Sequence, residues 1–245
     1  MLLHELDYAV FLNTVSKYFE IRRLCDYSKL AEDKVCLLRH DVDKDMERAI
    51  RMAEIEYDFH ARSTYFVLHT AGYYKESGFL DKCRYLQDMG HEIGLHNNIL
   101  TACIAESYLT PQAIFDRELA YLRSGGLDIR GTASHGDKLC YELNYINYQI
   151  FKGCEVKNRP LEVSGFKFYE VDMDGFYEAY HIPRDFYVSD SASRWAESYS
   201  TREELKVPLS ELEKINDILE YIRAIGKLDR NFTLQVLAHP CWWEL

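Results

Sequence analysis

The sequence predicts an α/β protein whose strands lie parallel in one sheet. Three observations lead there. Short apolar, β-branched runs alternate with longer segments of helical periodicity along the whole chain, the order that builds parallel sheets. No low-complexity linker and no repeat divides it, so residues 1–245 read as a single domain. Ionisable residues also collect just beyond the C-terminal ends of the strand-like runs, where folds of this class build a polar site. A chain of 245 residues suffices for one (β/α) barrel or for two small domains, and a single polar site favours the barrel.

The elements follow in order. Leu6, Phe11, Val15, Tyr18 and Phe19 recur at near-helical spacing, which predicts a first helix packed outside the core. Residues 35–38 form a short buried strand that runs into Arg39-His40-Asp41-Val42-Asp43. Alternate side chains of an extended segment share a face, so Arg39, Asp41 and Asp43 point one way and His40 and Val42 the other. Residues 45–57 are helical, with Met46, Ala49, Ile50 and Ala53 on one face. Residues 63–68 are a strand ending at His69, and 80–89 a helix stopped by Gly90. Residues 91–95 are a short strand ending at His96. Thr110 caps a helix that opens at Pro111, runs through Arg123 and closes at 124–126. A weaker strand at 130–134 ends at His135, and 139–151 reads as a helix. Residues 157–182 hold one or two strands with loops. Residues 185–189 are a strand ending at Asp190, 209–225 an amphipathic helix, and 232–237 a strand ending at His239.

Composition narrows the function classes. Hydrophobic residues make up 47% and charged residues 28%, enough apolar material for a sizeable core. A formal net charge of −11 argues against nucleic acid or an anionic membrane as partner. No apolar stretch approaches the roughly 18 residues of a membrane span. The first residues carry acids where a secretory signal needs a basic start. Seven cysteines form an odd set without a Cys-x-x-Cys pair, which argues against a zinc finger or a disulfide framework. Together these predict a cytoplasmic protein with reduced thiols. No oligomeric state is legible.

The chemistry gathers at the strand ends. Two neighbouring carboxylates repel unless a cation or a proton lies between them, so Asp41 and Asp43 suit metal-assisted or acid/base work. Five of the nine histidines (His40, His69, His96, His135 and His239) stand at or beside such ends. Scattered core or surface histidines would not collect there. Asp190 either tunes a neighbouring basic group or caps a helix. Trp242 and Trp243 either form a stacking wall or close one end of the fold.

These residues also form recognisable motifs. Gly90-His91-Glu92-Ile93-Gly94-Leu95-His96 resembles the second motif of the polysaccharide deacetylases, the fourth carbohydrate-esterase family. Arg39-His40-Asp41-Val42-Asp43 resembles the first motif in its Arg-His-Asp-Val-Asp variant. Ser189-Asp190 with Trp195 beyond is similar to the aspartate-tryptophan motif, and Leu237-Ala238-His239-Pro240 to the final Leu-x-His motif. The motifs keep family order from residue 36 to residue 240. The resemblance implies a distorted, TIM-like (β/α) barrel of seven or eight strands that removes an acetyl group from an N-acetylated sugar with a divalent metal, zinc being the expected ion. It implies Asp41 as general base, Asp43 and His96 as metal ligands, and His239 as the acid that protonates the leaving amine. Arg39, on the face of Asp41, would hold that base ionised.

Two departures stand out. The family's second metal histidine, four residues after the first, is here Leu100. The third ligand therefore falls to His135, with His69 or His40 as alternatives. The family's Arg-x-Pro-aromatic motif is also missing, with Arg130 near its place. The expected activity is N-deacetylation of an acetamido sugar in the biosynthesis of a cell-surface polysaccharide, such as an O-antigen, or of a glycoconjugate precursor. The alternatives are hydrolysis of a small amide on the same fold, or a barrel that binds carbohydrate without turnover.

Overall fold

The computed structural model describes residues 3–29, 34–106, 109–190, 199–200 and 215–245. The two-residue strand β1 (Leu3–His4) leads into α1 (Glu5–Ser16), and β2 (Glu20–Arg22) precedes β3 (Val35–Val42), which is buried along its whole length. Next come α2 (Met46–Asp58), β4 (Thr64–Leu68), α3 (Phe79–Asp88), β5 (Glu92–Asn97), α4 (Ile99–Glu106), α5 (Pro111–Ser124), β6 (Gly131–Ser134) and α6 (Lys138–Leu143). Three short strands follow: β7 (Glu162–Val163), β8 (Phe166–Lys167) and β9 (Tyr177–Glu178). The chain ends with β10 (Phe186–Ser189), β11 (Tyr199–Ser200), α7 (Ile215–Gly226), β12 (Thr233–Ala238) and β13 (Trp243–Glu244).

The main sheet has the order β11-β10-β12-β3-β4-β5-β6-β9. The seven strands from β10 to β9 run parallel, β2 adds a parallel pairing to the first half of β3, and β11 is antiparallel to β10. The α/β class and the parallel sheet are thus as expected. Closure into a barrel is not seen: among the described residues no ladder joins β9 to β10 or β11. The reason is local. β9 has only two residues, and the turn after it folds back over the concave side of the sheet. There Ala179 and Ile182 pack with Leu24, Val35, Leu37, Phe66 and Ala133.

Alternation along the strands divides the buried residues between two faces. Outward-facing Val42, Tyr65, Val67, Ile93 and Leu95 pack with Ala49, Ala53, Cys83 and Leu86 of α2 and α3. Outward-facing Val188, Leu234 and Val236 pack with Phe11, Leu12, Val15, Ile218 and Ile222 of α1 and α7. Each large side chain buried there contributes about 1.5–3 kcal/mol. The concave face is apolar toward the start of β3, where Val35 and Leu37 meet Phe66, and polar toward the strand ends, where Arg39, Asp41 and His96 are buried. Two glycines let rings lie against its floor. A Cβ on Gly94 would stand 2.4 Å from the Phe66 ring, and one on Gly131 2.1 Å from the Tyr177 ring.

Several boundaries differ from expectation. β3 and β5 extend to Val42 and Asn97, so Asp41 and His96 lie within strands rather than past them. Helix α4 was not foreseen. Ile99, Leu100, Ala102 and Cys103 are all buried, and a helix apolar on nearly every side shows no 3.6-residue pattern. The helix expected over 139–151 breaks into α6 and a 3₁₀ turn at Asn147–Ile150, because Asn144 adopts the left-handed conformation at φ 57° and ends α6. The helix expected over 209–225 is seen as α7. Residues 209–214 and Trp195 lie outside the described residues.

Candidate metal and acid–base site

Strand β3 places Arg39 and Asp41 on the concave face, where they pair, and Asp43 follows just past its end. Arg39 Nε donates to Asp41 Oδ1 at 3.1 Å and Nη2 to Oδ2 at 2.7 Å. Both side chains are buried, at 0% and 3% exposure. Burial alone would raise the Asp41 pKa, but the Arg39 guanidinium outweighs it and holds the carboxyl below its ordinary value. The Tyr180 ring, carried by the turn after β9, covers the guanidinium at 4.8 Å. Arg130 pairs at the surface with Asp128.

Asp43, His96 and His135 converge beside this pair. Asp43 Oδ1 lies 3.3 Å from His96 Nε2 and 3.4 Å from His135 Nδ1, and the two nitrogens are 3.2 Å apart. A tetrahedral ion with ligand bonds of about 2.0–2.2 Å places its ligand atoms about 3.3–3.6 Å from one another. The two separations from Asp43 fall in that range and the nitrogen–nitrogen one just below it, and Asp43 Oδ1 is buried without a well-formed hydrogen bond. The tautomer of His96 fits as well. Its Nδ1–H donates to the Ala133 carbonyl at 2.9 Å, which leaves the Nε2 lone pair for the cluster. The His/His/Asp group could therefore hold a metal ion. Burial disfavours the Asp43 carboxylate, yet the His135 and His96 imidazoles hold it well below the usual range. Burial likewise opposes charge on His96, and Asp41 and Asp43 outweigh it to raise its pKa.

The acid candidate stands at the end of β12. His239 Nδ1 meets Asp190 Oδ1 at 2.6 Å, and both Asp190 oxygens accept from the His239 backbone N–H at 3.0 and 2.9 Å. Trp243 Nε1 donates to Asp190 Oδ2 at 3.0 Å. Asp190 thus orients His239, and buried Trp243 fastens the pair; the helix it was expected to cap falls in 191–198, outside the described residues. Burial disfavours the imidazolium, but the Asp190 carboxylate, with Asp41 and Asp43, raises His239 to about 9.

The remaining histidines serve elsewhere. His69 Nε2 accepts the Asn98 N–H at 2.9 Å and is pushed down to about 3 by burial, with nearby positive charge adding to the effect. His91 accepts at Nδ1 from the Ser63 N–H and donates at Nε2 to the Ala53 carbonyl, a structural role. His40 points to the outer face of β3. There the fully buried Glu56 receives His40 Nε2 at 2.6 Å, Ser63 Oγ at 2.6 Å, Tyr65 Oη at 2.8 Å and the Tyr8 hydroxyl.

Asn147, Glu178 and Tyr180 support the site and carried no signal in the sequence. Asn147 donates to the His135 carbonyl at 2.8 Å and to Asn98 Oδ1 at 2.9 Å, and accepts the Leu100 N–H at 2.9 Å. It pins the loop that carries His135. Glu178 is buried beneath Tyr180, accepts its N–H at 2.7 Å, and is raised to about 7 by burial despite the nearby Arg39. Leu100, at the position of the family's second histidine, lies wholly within the apolar cluster outside the sheet.

Comparison of the chain with protein-family models, with curated proteins and with solved structures gives no match. No helix among the described residues is long and apolar enough to cross a membrane.

Proposed function

We propose that the protein is a metal-dependent amide hydrolase that removes the N-acetyl group from an acetamido sugar, on an open form of the polysaccharide-deacetylase barrel. The observation that carries this reading is the Asp43/His96/His135 cluster, with its ligand-like spacing, set beside a carboxylate and an imidazole that are each held by their own partner. Three protein ligands of this kind with an open position suit zinc. A bound divalent ion supplies Lewis acidity to a carbonyl and acidifies water.

The chain's own groups then divide the work. Amide hydrolysis needs a proton taken from water and a proton delivered to nitrogen. Asp41 is ionised at neutral pH because Arg39 pairs with it, and its depressed pKa makes it a weak base, fit only for water already acidified. His239, raised to about 9, is charged at neutral pH and holds a proton to give. Asp190 fixes its ring through Nδ1 and leaves Nε2 as the donating atom. Tyr180 and the turn that carries it shield the Arg39–Asp41 pair from water. All seven cysteines are free thiols, which supports a reducing cytoplasm and a sugar precursor made there.

Acetate release from a panel of acetamido sugars tests the proposal. Turnover with zinc present, abolished by Asp41→Asn, is the expected outcome. Sugar binding with no acetate from any member, or turnover that survives Asp41→Asn, overturns it.

A further inference from the structure

A cavity of about 280 Å³ opens directly beside His135, one of the three clustered ligand-type residues. That is just below the roughly 300–1,000 Å³ of pockets that take drug-sized ligands, and it suits one sugar ring rather than a polymer. Its walls are aromatic. Tyr141, Tyr145, Tyr148 and Tyr180 line it, the Tyr148 and Tyr180 rings lie 5.8 Å apart, and Tyr141 is 82% exposed. Aromatic faces of this kind pack against the C–H faces of a sugar, and a largely uncovered ring is surface left for an occupant.

The charge of the cavity is one-sided. Arg159 lines it and no acidic residue does, in a chain whose formal charge is −11. Arg159 Nη1 donates to Asn144 Oδ1 at 3.0 Å, which steadies the guanidinium. Among the described residues it makes no ion pair, so the rest of its planar fork is open to an anion. A guanidinium fork matches carboxylate and phosphate better than any neutral sugar hydroxyl.

We infer that the substrate is an acetamido sugar bearing an acidic group, a carboxylate or a phosphate, that seats its ring against Tyr148 and Tyr180 and its anion on Arg159. The inference rests on the proposed hydrolysis only for what happens to the sugar, not for how it is held.

The test compares N-acetylglucosamine, its 1-phosphate, and an N-acetylated hexosaminuronic acid on the zinc-loaded chain. An acidic sugar should be favoured over the neutral one by about tenfold in kcat/KM, the low end for a hydrogen bond to a charged group at a half-exposed site. Arg159→Gln should bring that ratio near one, and Arg159→Lys should restore only part of it. Which acidic sugar shows the preference distinguishes phosphate from carboxylate. Equal use of neutral and acidic sugars, or a preference that survives Arg159→Gln, overturns the inference. Where no acetate is released, calorimetric titration with the same sugars reads the same ratio as affinities. An acidic preference lost in Arg159→Gln would then sustain this inference while refuting hydrolysis, and its absence from the unmodified chain would refute the inference.

Discussion

Replacing Asp190 with asparagine should strip His239 of its raised proton affinity. Asparagine keeps the size of the side chain and an acceptor for Nδ1–H, but removes the carboxylate 2.6 Å away. Burial already works against the imidazolium. Without Asp190, His239 should therefore fall from about 9 to its ordinary value of about 6.5 or lower. At pH 8 its protonated fraction drops from about 0.9 to about 0.03, some 30-fold, whereas at pH 6 it changes less than about twofold. An NMR titration of the His239 ring in zinc-free protein reads the change directly. The pH–rate profile of acetate release should show its alkaline limb moving toward acid, from at or below about 9 in the parent because a bound ion's charge also lowers the imidazole. Stability follows the same linkage. A raised folded-state pKa stabilises fully below the unfolded value and loses that contribution as pH climbs through the folded one. Between about pH 6.5 and 9 the parent should lose up to about 3 kcal/mol, at 1.36 kcal/mol per pH unit, and Asp190→Asn should lose almost none of it. A His239 that titrates near 6.5 in the parent, or stays near 9 in the variant, refutes the reasoning.

Four further outcomes are expected. Elemental analysis should find close to one divalent ion per zinc-loaded chain, and Asp43→Ala, His96→Ala and His135→Ala should each weaken binding by about 100-fold or more; a parent that retains no ion sinks the site. Arg39→Met leaves Asp41 at 3% exposure without its guanidinium, with only the His96 imidazole 3.7 Å away, and should cost about 3–5 kcal/mol, read as a Tm lower by about 6–20 °C. Gly131→Ala would drive a Cβ to 2.1 Å from the Tyr177 ring, and an unchanged Tm would contradict the expected loss of about 1–3 kcal/mol. Asn147→Ala removes the hydrogen bond to the His135 carbonyl and should weaken zinc about 10- to 100-fold in a competition titration while the far-UV spectrum holds.

What could be read from the sequence was what is local to a strand. The alternation that set Arg39, Asp41 and Asp43 on one face needs only a period of two, and the Arg39–Asp41 pair shows it. His96, His135 and His239 were found because each stands at or beside the end of a recognisable strand. Residues whose contribution comes through contacts far along the chain were invisible. Asn147 reaches Asn98 and His135 from the far side of a helix break, and Glu178 and Tyr180 reach Arg39 only because the sheet curls. The extent of that curling was illegible too. It depends on β9 being two residues long, and the short alternating runs of residues 157–182 point to one or two strands without fixing their length.

Strand β3 has no preferred side over its first half. Val35 and Leu37 are buried on one face and Cys36 and Leu38 on the other, so a slip by one residue would exchange one apolar set for another at little cost. The second half removes that freedom. After such a slip, the His40 imidazole that meets Glu56 and the Asp41 carboxylate that lies 3.7 Å from His96 would both face the wrong layer, each leaving buried charge without a partner. The Glu56–His40 cluster takes no part in the proposed chemistry, yet it acts as a second key on the same strand. Folding routes that misalign β3 would be penalised on both faces at once, and so the position of Asp41 is set as much from behind the sheet as from the cavity in front of it.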